Sequence, residues 1–166
     1  MSLICCYKEL RDLLTRASIQ QSGTTNCGGF VNCIDPTCSL HDYNNPSKTF
    51  ISTVTGSVYP IKQALNCDSH NIIYLVTCKS CHIQYVGETG RRHKDRCKEH
   101  VQDIKKNKDC PISSHFHGLN HALDHFSIQV IEKCRNEDTA FRRLRENYWR
   151  KVLKCEVNRQ ESRLFV

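Results

Sequence analysis

The clearest hydrophobic pattern in the chain is a pair of apolar stretches near its middle. Five consecutive apolar residues, Ile72 to Val76, are typical of a strand that is buried on both faces. The stretch Ile83 to Gly87 follows after a short polar segment that holds Cys78 and Cys81. The two stretches therefore predict neighbouring antiparallel strands joined by a Cys-x-x-Cys turn.

Two further patterns predict strands on either side of this pair. Residues 49–61 are rich in β-branched and aromatic side chains around Thr55 and Gly56, which predicts a hairpin. Pro60 in its second half marks that strand as an edge strand, because proline has no N–H to donate to a neighbour. Residues 125–132 have an apolar side chain at every second position and predict a third strand of the main sheet.

Helical periodicity is found in three places. Residues 8–19 carry leucines between charged residues and predict a short amphipathic helix. Residues 91–107 predict a highly charged helix with one apolar stripe, formed by Cys97, Val101 and Ile104. A final helix is predicted over residues 137–154, with Asn136 as its N-cap and with an apolar face formed by Phe141, Leu144, Tyr148 and Val152.

The order of these elements is strand, strand, helix, loop, strand, helix. This order predicts an α/β (α+β) domain with a three-stranded, mostly antiparallel sheet flanked by helices. We divide the chain into a short helix and linker at residues 1–20, a Cys-rich segment with the β-hairpin at 21–70, the main domain at 71–157 and a tail at 158–166.

The length and the apolar runs limit the class of protein. A chain of 166 residues can form one substantial core but not two large domains. The longest apolar run is far shorter than the roughly 20 residues that a membrane span needs. The N-terminal sequence MSLICCYKELRD lacks the basic region that precedes the apolar part of a signal peptide. We therefore expect a soluble, intracellular protein that does not enter membranes.

The chain contains twelve cysteines and nine histidines. Such a content indicates either the disulfide framework of a secreted protein or metal sites in a reducing compartment. The mixing of cysteine with histidine and the absence of a signal favour metal sites.

Positive charge is concentrated in the second part of the chain. Residues 1–70 hold five basic and five acidic side chains, whereas residues 71–166 hold 19 basic and 12 acidic ones, so the net charge of +7 lies there entirely. A surface that binds a polyanion has this character, and a solvated basic face without a ligand is the alternative.

Four short motifs in the main domain resemble the GIY-YIG nuclease domain. They are IIY at residues 72–74, YVG at 85–87, an arginine four residues before a histidine at Arg96 and His100, and RENYW with Glu146. Their order and the order of the predicted elements agree with that family over about residues 71–155. The resemblance implies a metal-dependent endonuclease that hydrolyses phosphodiesters.

The chain resembles most closely the GIY-YIG domain at the C-terminus of Penelope-like retroelement proteins, without the reverse transcriptase. In that group a Cys-x-x-Cys pair between the tyrosine motifs is completed by downstream histidines to form a zinc site, which the resemblance places at Cys78, Cys81, His115 and His121. His117 and His125 compete as fourth ligands, and His82 lies too close in sequence to Cys81. A redox-active Cys78–Cys81 disulfide is the alternative, although no thioredoxin-like pattern surrounds it.

The resemblance also implies roles for the motif residues. Tyr74 is expected to activate the attacking water and Tyr85 to position it, Arg96 to contact the phosphate, and His100 to assist proton transfer or to hold the substrate. Glu146 is expected to hold Mg²⁺ or Mn²⁺, since a single carboxylate with several waters suits Mg²⁺. Outside the motifs, each of these residues would be interpreted as packing or as a solvated helix face.

The remaining predictions concern a second metal site and the nucleic-acid surface. Cys27, Cys33, Cys38 and Cys67 could bind a second zinc, with His41 as a substitute ligand. DNA, or alternatively RNA, would contact the basic helices through Arg91, Arg92, Lys94, Lys98, Arg142 and Arg145. A nuclease that acts on chromosomal DNA is expected in the nucleus.

One departure from the family pattern lies at the end of the chain. Family members finish with a turn that supplies an asparagine near the active site, whereas this chain runs LKCEVNRQESRLFV, and Asn158 falls earlier than that position. A zinc-containing nucleic-acid-binding remnant without catalytic activity is therefore the alternative function.

Overall fold

The computed structural model describes residues 28–135 and 137–155 of the chain. The predicted helix at residues 8–19, the candidate ligand Cys27, the candidate cap Asn136 and the tail residue Asn158 lie outside the described residues. Among the helices that are described, none is both long enough and apolar enough to cross a membrane.

The described residues form seven strands and three α-helices. The strands are β1 (Gly29–Phe30), β2 (Thr49–Ile51), β3 (Val58–Pro60), β4 (Ala64–Leu65), β5 (Ile72–Cys78), β6 (Gln84–Thr89) and β7 (Phe126–Lys133). The helices are α1 (His93–Lys105), α2 (Pro111–Phe116) and α3 (Thr139–Leu153), and short 3₁₀ turns occur at His41–Tyr43 and Leu123–His125.

The main sheet is three-stranded and antiparallel, as the sequence predicts, and its strand order is β6-β5-β7. The central strand β5 is apolar because both of its faces are covered, and Tyr74 and Leu75 on opposite faces are both buried. One face packs against α1 and α2, and Cys97, Val101 and Ile104 form the predicted stripe there.

The second core lies on the other face of the sheet. It includes residues from the part of the chain before the main domain, such as Phe30, Phe50 and Leu65, together with Ile73 and Val86. The strands β2 and β3 form the predicted antiparallel hairpin, and Phe50 meets the ring of Trp149 on α3 edge to face. The Cys-rich segment and hairpin therefore pack into the same body as the main sheet.

The last helix differs from its prediction in two ways. Its N-cap is Asp138, whose carboxylate accepts a hydrogen bond from the Ala140 amide, so the helix begins two residues after the predicted start. The predicted apolar face is also wrong in part, because Leu144 and Tyr148 are exposed although Phe141 packs on the core. The face that packs on the core contains Phe141, Arg142, Trp149 and Leu153.

Candidate active site and metal clusters

The hydroxyl of Tyr74 is the centre of a buried hydrogen-bond network between β5 and α1. Arg96 Nε donates to Tyr74 Oη over 3.0 Å, and His100 Nε2 lies 3.0 Å from the same oxygen. Arg96 and His100 are one helical turn apart, so both reach one hydroxyl. Because the guanidinium can only donate, the single proton of Tyr74 is free to be donated to His100 Nε2.

Burial keeps Tyr74 and His100 uncharged in this network. It raises the pKa of the Tyr74 hydroxyl well above its ordinary value, although the charge of Arg96 acts in the opposite direction. Burial and the charge of Arg96 lower the pKa of His100 to about 3. Proton transfer from Tyr74 to His100 is therefore strongly unfavourable at neutral pH, and the pair is suited to holding Arg96 in place.

Gly87 of the YVG motif leaves the space that the Tyr74 ring fills. The two residues are direct partners in the register of β5 and β6. A β-carbon at position 87 would lie 2.4 Å from both Cζ and Oη of Tyr74. Gly87, the last residue of the YVG motif, thus makes room for Tyr74, the last residue of the IIY motif.

A carboxylate on α1 holds the other end of the Arg96 side chain. Arg96 Nη1 donates to Glu99, which also accepts from Arg91. Burial opposes ionisation of Glu99, but the two arginines keep the pKa of its carboxyl below the ordinary value. Glu99 is not among the predicted site residues, although opposite charges three positions apart on a helix are a recognisable signal.

Tyr85 and Glu146 belong to the same electrostatic neighbourhood. Tyr85 lies on the Tyr74 side of the sheet, opposite Val76 on β5, and it is only partly buried. Burial, followed by the carboxylate of Glu146, raises the pKa of Tyr85, while Arg96 lowers it. The Glu146 charge also acts on Tyr74. Hydrogen bonds thus join Tyr74, Arg96 and His100, and Tyr85 and Glu146 lie near enough for their charges to act on Tyr74.

The environment of Glu146 suits a cation. The carboxyl is half-buried on α3, and its pKa is raised by burial and then by the charge of Glu88, while the charges of nearby arginines act in the opposite direction. Glu88 itself pairs with Arg142. A carboxylate that is disfavoured both by burial and by a second acid gains more from a bound cation than an exposed carboxylate does.

Cys78, Cys81, His115 and His121 form a four-residue cluster between the β5–β6 turn and α2. Their ligand atoms all lie within 4.8 Å of one another. Cys78 Sγ is 3.5 Å from His121 Nδ1, and Cys81 Sγ is 3.5 Å from His115 Nε2. Metal–ligand bonds of ordinary length at tetrahedral angles separate sulfur and nitrogen by about 3.5 Å. The four residues therefore fit a tetrahedral metal ion.

The competing histidines are engaged elsewhere. His117 Nδ1 lies 3.1 Å from the carbonyl of Ser113, and His125 Nδ1 accepts from the Ala122 amide. His82 has a positive φ of 62° in the turn after Cys81, and its ring is not in the cluster.

A second cluster is formed by Cys33, Cys38, His41 and Cys67, whose ligand atoms also lie within 4.8 Å of one another. His41 thus stands among the three predicted cysteines in the way expected of a substitute ligand. None of the cysteines that the structure describes forms a disulfide, so Cys78 and Cys81 are not joined to each other.

The predicted nucleic-acid residues on α1 and just before it lie at the surface. Arg91, Arg92 and Lys98 are exposed and Lys94 is partly exposed. Arg91 pairs with Glu99, Arg92 with Asp95 and Lys94 with Asp68. Exposed ion pairs of this kind are weak, so phosphate groups can replace the carboxylates.

The arginines of α3 are different. Arg142 is buried, and its guanidinium donates to Glu88, Asn71, the Glu137 carbonyl and Thr139. We therefore remove Arg142 from the predicted nucleic-acid surface, because its donors are used inside the protein. Arg145 forms two hydrogen bonds to Glu132 and lies over the Tyr148 ring.

A family model described as the GIY-YIG catalytic domain matches residues 70–159, which is more than half of the chain. The matched region contains the Tyr74 network, Glu146 and the cluster at Cys78, and it begins after the second cluster. No curated protein and no solved structure matches the chain.

Proposed function

The chain belongs to the GIY-YIG catalytic domain family, and from that premise we propose that it is a metal-dependent DNA endonuclease of Penelope-like retroelement origin. The reaction is hydrolysis of one phosphodiester bond, which leaves a nick. In the parent element such a nick would supply the primer for reverse transcription.

The observation that carries the proposal is the convergence of Arg96 and His100 on the buried hydroxyl of Tyr74, on which the charges of Tyr85 and Glu146 also act. Packing alone gives no reason to place a guanidinium, a neutral imidazole and a half-buried carboxylate around two tyrosines. Perturbed ionisable groups in one cluster are typical of active sites.

Arg96 is suited to binding the phosphate that is cleaved. Its side chain is 24% exposed, and only some of its five N–H groups are used by Tyr74 and Glu99. The remaining donors can form the charge-assisted hydrogen bonds that a phosphate accepts. Because Tyr74 and Glu99 fix the guanidinium before the substrate arrives, little reorganisation is needed in the transition state.

Burial suggests that the two tyrosines exchange the roles expected from the sequence. Tyr74 is 0% exposed and retains its proton, so it is poorly placed to act on water. Tyr85 is partly exposed and lies within the fields of Arg96 and Glu146. We therefore assign contact with the attacking water to Tyr85 and the positioning of Arg96 to Tyr74 and His100.

Glu146 would hold the divalent cation, Mg²⁺ or Mn²⁺, whose chemistry is to polarise the phosphate and stabilise the leaving oxygen. The cluster of Cys78, Cys81, His115 and His121 would hold zinc, for which two sulfur and two nitrogen ligands are suited. Zinc at this place would join the turn between β5 and β6 to α2. The strands that carry Tyr74 and Tyr85 would thereby be held together.

The DNA would lie along the exposed basic face at the start of α1, formed by Arg91, Arg92, Lys94 and Lys98. Such a face binds the sugar–phosphate backbone without reading sequence. Arg145, which is partly exposed on α3, would be a further contact to the DNA. The protein would act in the nucleus, because that is the compartment in which the DNA is found.

The test is incubation with supercoiled plasmid in Mg²⁺ or Mn²⁺. Conversion of supercoiled DNA to nicked circles supports the endonuclease. Salt-dependent binding of DNA without any nicking supports the alternative of a zinc-containing binding remnant.

A further inference from the structure

We propose that Cys33, Cys38, His41 and Cys67 bind a second structural zinc ion, and that this site positions the N-terminal end of α1. The proposal rests on the proposed function only in its consequence for activity, because α1 carries Arg96 and His100. The site lies outside the matched family region, so its role belongs to the Cys-rich segment of this chain.

The donor set and its spacing indicate zinc. Cys33 Sγ lies 3.2 Å from His41 Nε2, and all four ligand atoms lie within 4.8 Å of one another. Three sulfurs and one imidazole at tetrahedral spacing favour zinc over the oxygen-preferring cations.

Two N–H groups point at the sulfur of Cys67, which gives a second and independent observation. The Cys33 amide and Asn44 Nδ2 each lie 3.3 Å from Cys67 Sγ. A sulfur that accepts two hydrogen bonds is best satisfied as a thiolate, and metal-bound thiolates commonly have such outer partners. Cys67 is itself buried, whereas the other three residues of the cluster are partly exposed.

The loop that begins at Cys67 caps α1. The Lys94 amide donates to the Cys67 carbonyl over 2.9 Å, and the His93 amide donates to the Ser69 carbonyl over 2.8 Å. These first N–H groups of the helix have no partner within the helix itself, and Arg92 at the N-cap supplies no side-chain cap. Lys94 also pairs with Asp68 in the same loop. Fixing Cys67 therefore fixes the first turn of α1.

Asn44 provides a side-chain link from the cluster to the helix. Its Nδ2 donates to Cys67 Sγ, while its Oδ1 lies 2.9 Å from Nε2 of the fully buried His93. Since Oδ1 can only accept, His93 carries its proton on Nε2. Two hydrogen bonds of the Asn44 side chain thus connect the metal ligand Cys67 to His93 in the first turn of α1.

The position of the first turn of α1 determines where Arg96 and His100 lie. Arg96 follows Lys94 by two residues, and His100 follows by six, so a shift of the first turn would move both away from Tyr74 Oη. The residues around Cys33 and Cys38 are mostly polar and exposed, so a bound metal is what orders them. The four ligands and Asn44 are positioning residues for the active site.

The test measures zinc content and hydrogen exchange in the full chain. Wild type is expected to bind two zinc ions per chain by native mass spectrometry, and Cys33→Ser to bind one. In Cys33→Ser the amides of His93 and Lys94 should exchange at least tenfold faster. Asn44→Ala keeps all four ligands and should weaken zinc binding about 10–100-fold while also speeding exchange at these amides.

Two control variants separate this site from the rest of the protein. Cys110→Ser removes a thiol that belongs to neither cluster and should leave two zinc ions bound. Cys81→Ala removes the other zinc and should leave exchange at His93 and Lys94 unchanged. The proposal is overturned if Cys33→Ser still binds two zinc ions, or if it loses one without faster exchange at these amides. Neither readout depends on nicking, so an inactive wild type would count against the nuclease alone.

Discussion

The phenol ring of Tyr74 occupies the space that a side chain at Gly87 would need. The two residues are cross-strand partners, and a β-carbon at position 87 would lie 2.4 Å from the phenol. The distance is far below any real contact, and the neighbouring backbone belongs to the sheet. The ring would therefore have to move, and with it the oxygen that holds Arg96.

Gly87→Ala is accordingly expected to have a large effect on the nicking rate and a moderate effect on the free energy of unfolding. Overpacking should lower the free energy of unfolding by about 1–3 kcal/mol, which urea titration measures. The nicking rate should fall at least tenfold because Arg96 loses its position. Gly56→Ala is the matched control: position 56 has φ +71° and open space around it, so only a stability loss of about 1 kcal/mol is expected. Equal activity of the two variants would contradict the role of Gly87.

Two phenylalanine variants should distinguish the roles of Tyr74 and Tyr85. Tyr85→Phe is expected to lower the nicking rate about 100-fold or more, as loss of a group that handles the attacking water does. Its free energy of unfolding should change little. Tyr74→Phe leaves buried polar atoms of Arg96 and His100 without a partner and should cost about 1–3 kcal/mol of stability. Activity retained in Tyr85→Phe but lost in Tyr74→Phe at unchanged stability would restore the roles expected from the sequence.

The main sheet and helix α1 could be predicted from the sequence because their patterns are local. The run Ile72 to Val76 is apolar on both faces, and the stripe of Cys97, Val101 and Ile104 has helical spacing. The apolar face of α3 could not be predicted in this way. Trp149 packs on Phe50, and Arg142 is buried because Glu88 and Asn71 accept its hydrogen bonds. A prediction based on hydrophobicity alone places an arginine such as Arg142 at the surface.

The candidate site could be predicted only where a motif marked its residues. Family resemblance identified Tyr74, Arg96 and Glu146, and composition identified the cysteines. Asn44 and His93 carry no sequence signal, since their roles arise from contacts 49 residues apart in the chain. The roles of the tyrosines also depended on burial, which strand periodicity does not distinguish for two tyrosines on one face.

The free energy of unfolding should depend on pH through His100. Burial and Arg96 lower its pKa from 6.5 to about 3 in the folded protein, with Glu99 acting in the opposite direction. An unfolded chain binds a proton at His100 below pH 6.5 and the folded chain does not, so stability is full above pH 6.5 and falls as the pH drops towards 3. Between pH 7 and pH 5 this group should cost about 2 kcal/mol.

His100→Gln provides the comparison, since glutamine does not titrate. Urea titrations at pH 7 and pH 5 should show a smaller loss of stability in this variant than in the wild type. Other titrating groups and the metal ligands contribute to both proteins, so the difference isolates His100. Identical losses would show that the imidazole is not buried in the uncharged form.

The cluster of Cys78, Cys81, His115 and His121 is expected to bind its metal through His121 and not through His117 or His125. His121→Ala should lose one zinc ion per chain and lower the melting temperature. His117→Ala and His125→Ala should retain the zinc, because these rings are engaged by Ser113 and Ala122. Zinc content by mass spectrometry and melting curves measure both effects. Loss of zinc from His117→Ala with retention in His121→Ala would contradict the assigned ligand set.

The most direct test of the account compares the nicking rate of supercoiled plasmid in Mg²⁺ for wild type, Glu146→Gln and Glu137→Gln. Glu137 is an exposed carboxylate just before the same helix and serves as the matched control. The wild type and Glu137→Gln should nick at equal rates, and Glu146→Gln should be at least about 100-fold slower, since a catalytic metal contributes several kcal/mol to the transition state. Nicking by Glu146→Gln at the wild-type rate, or no nicking by the wild type under conditions in which it binds DNA, would contradict the proposed endonuclease.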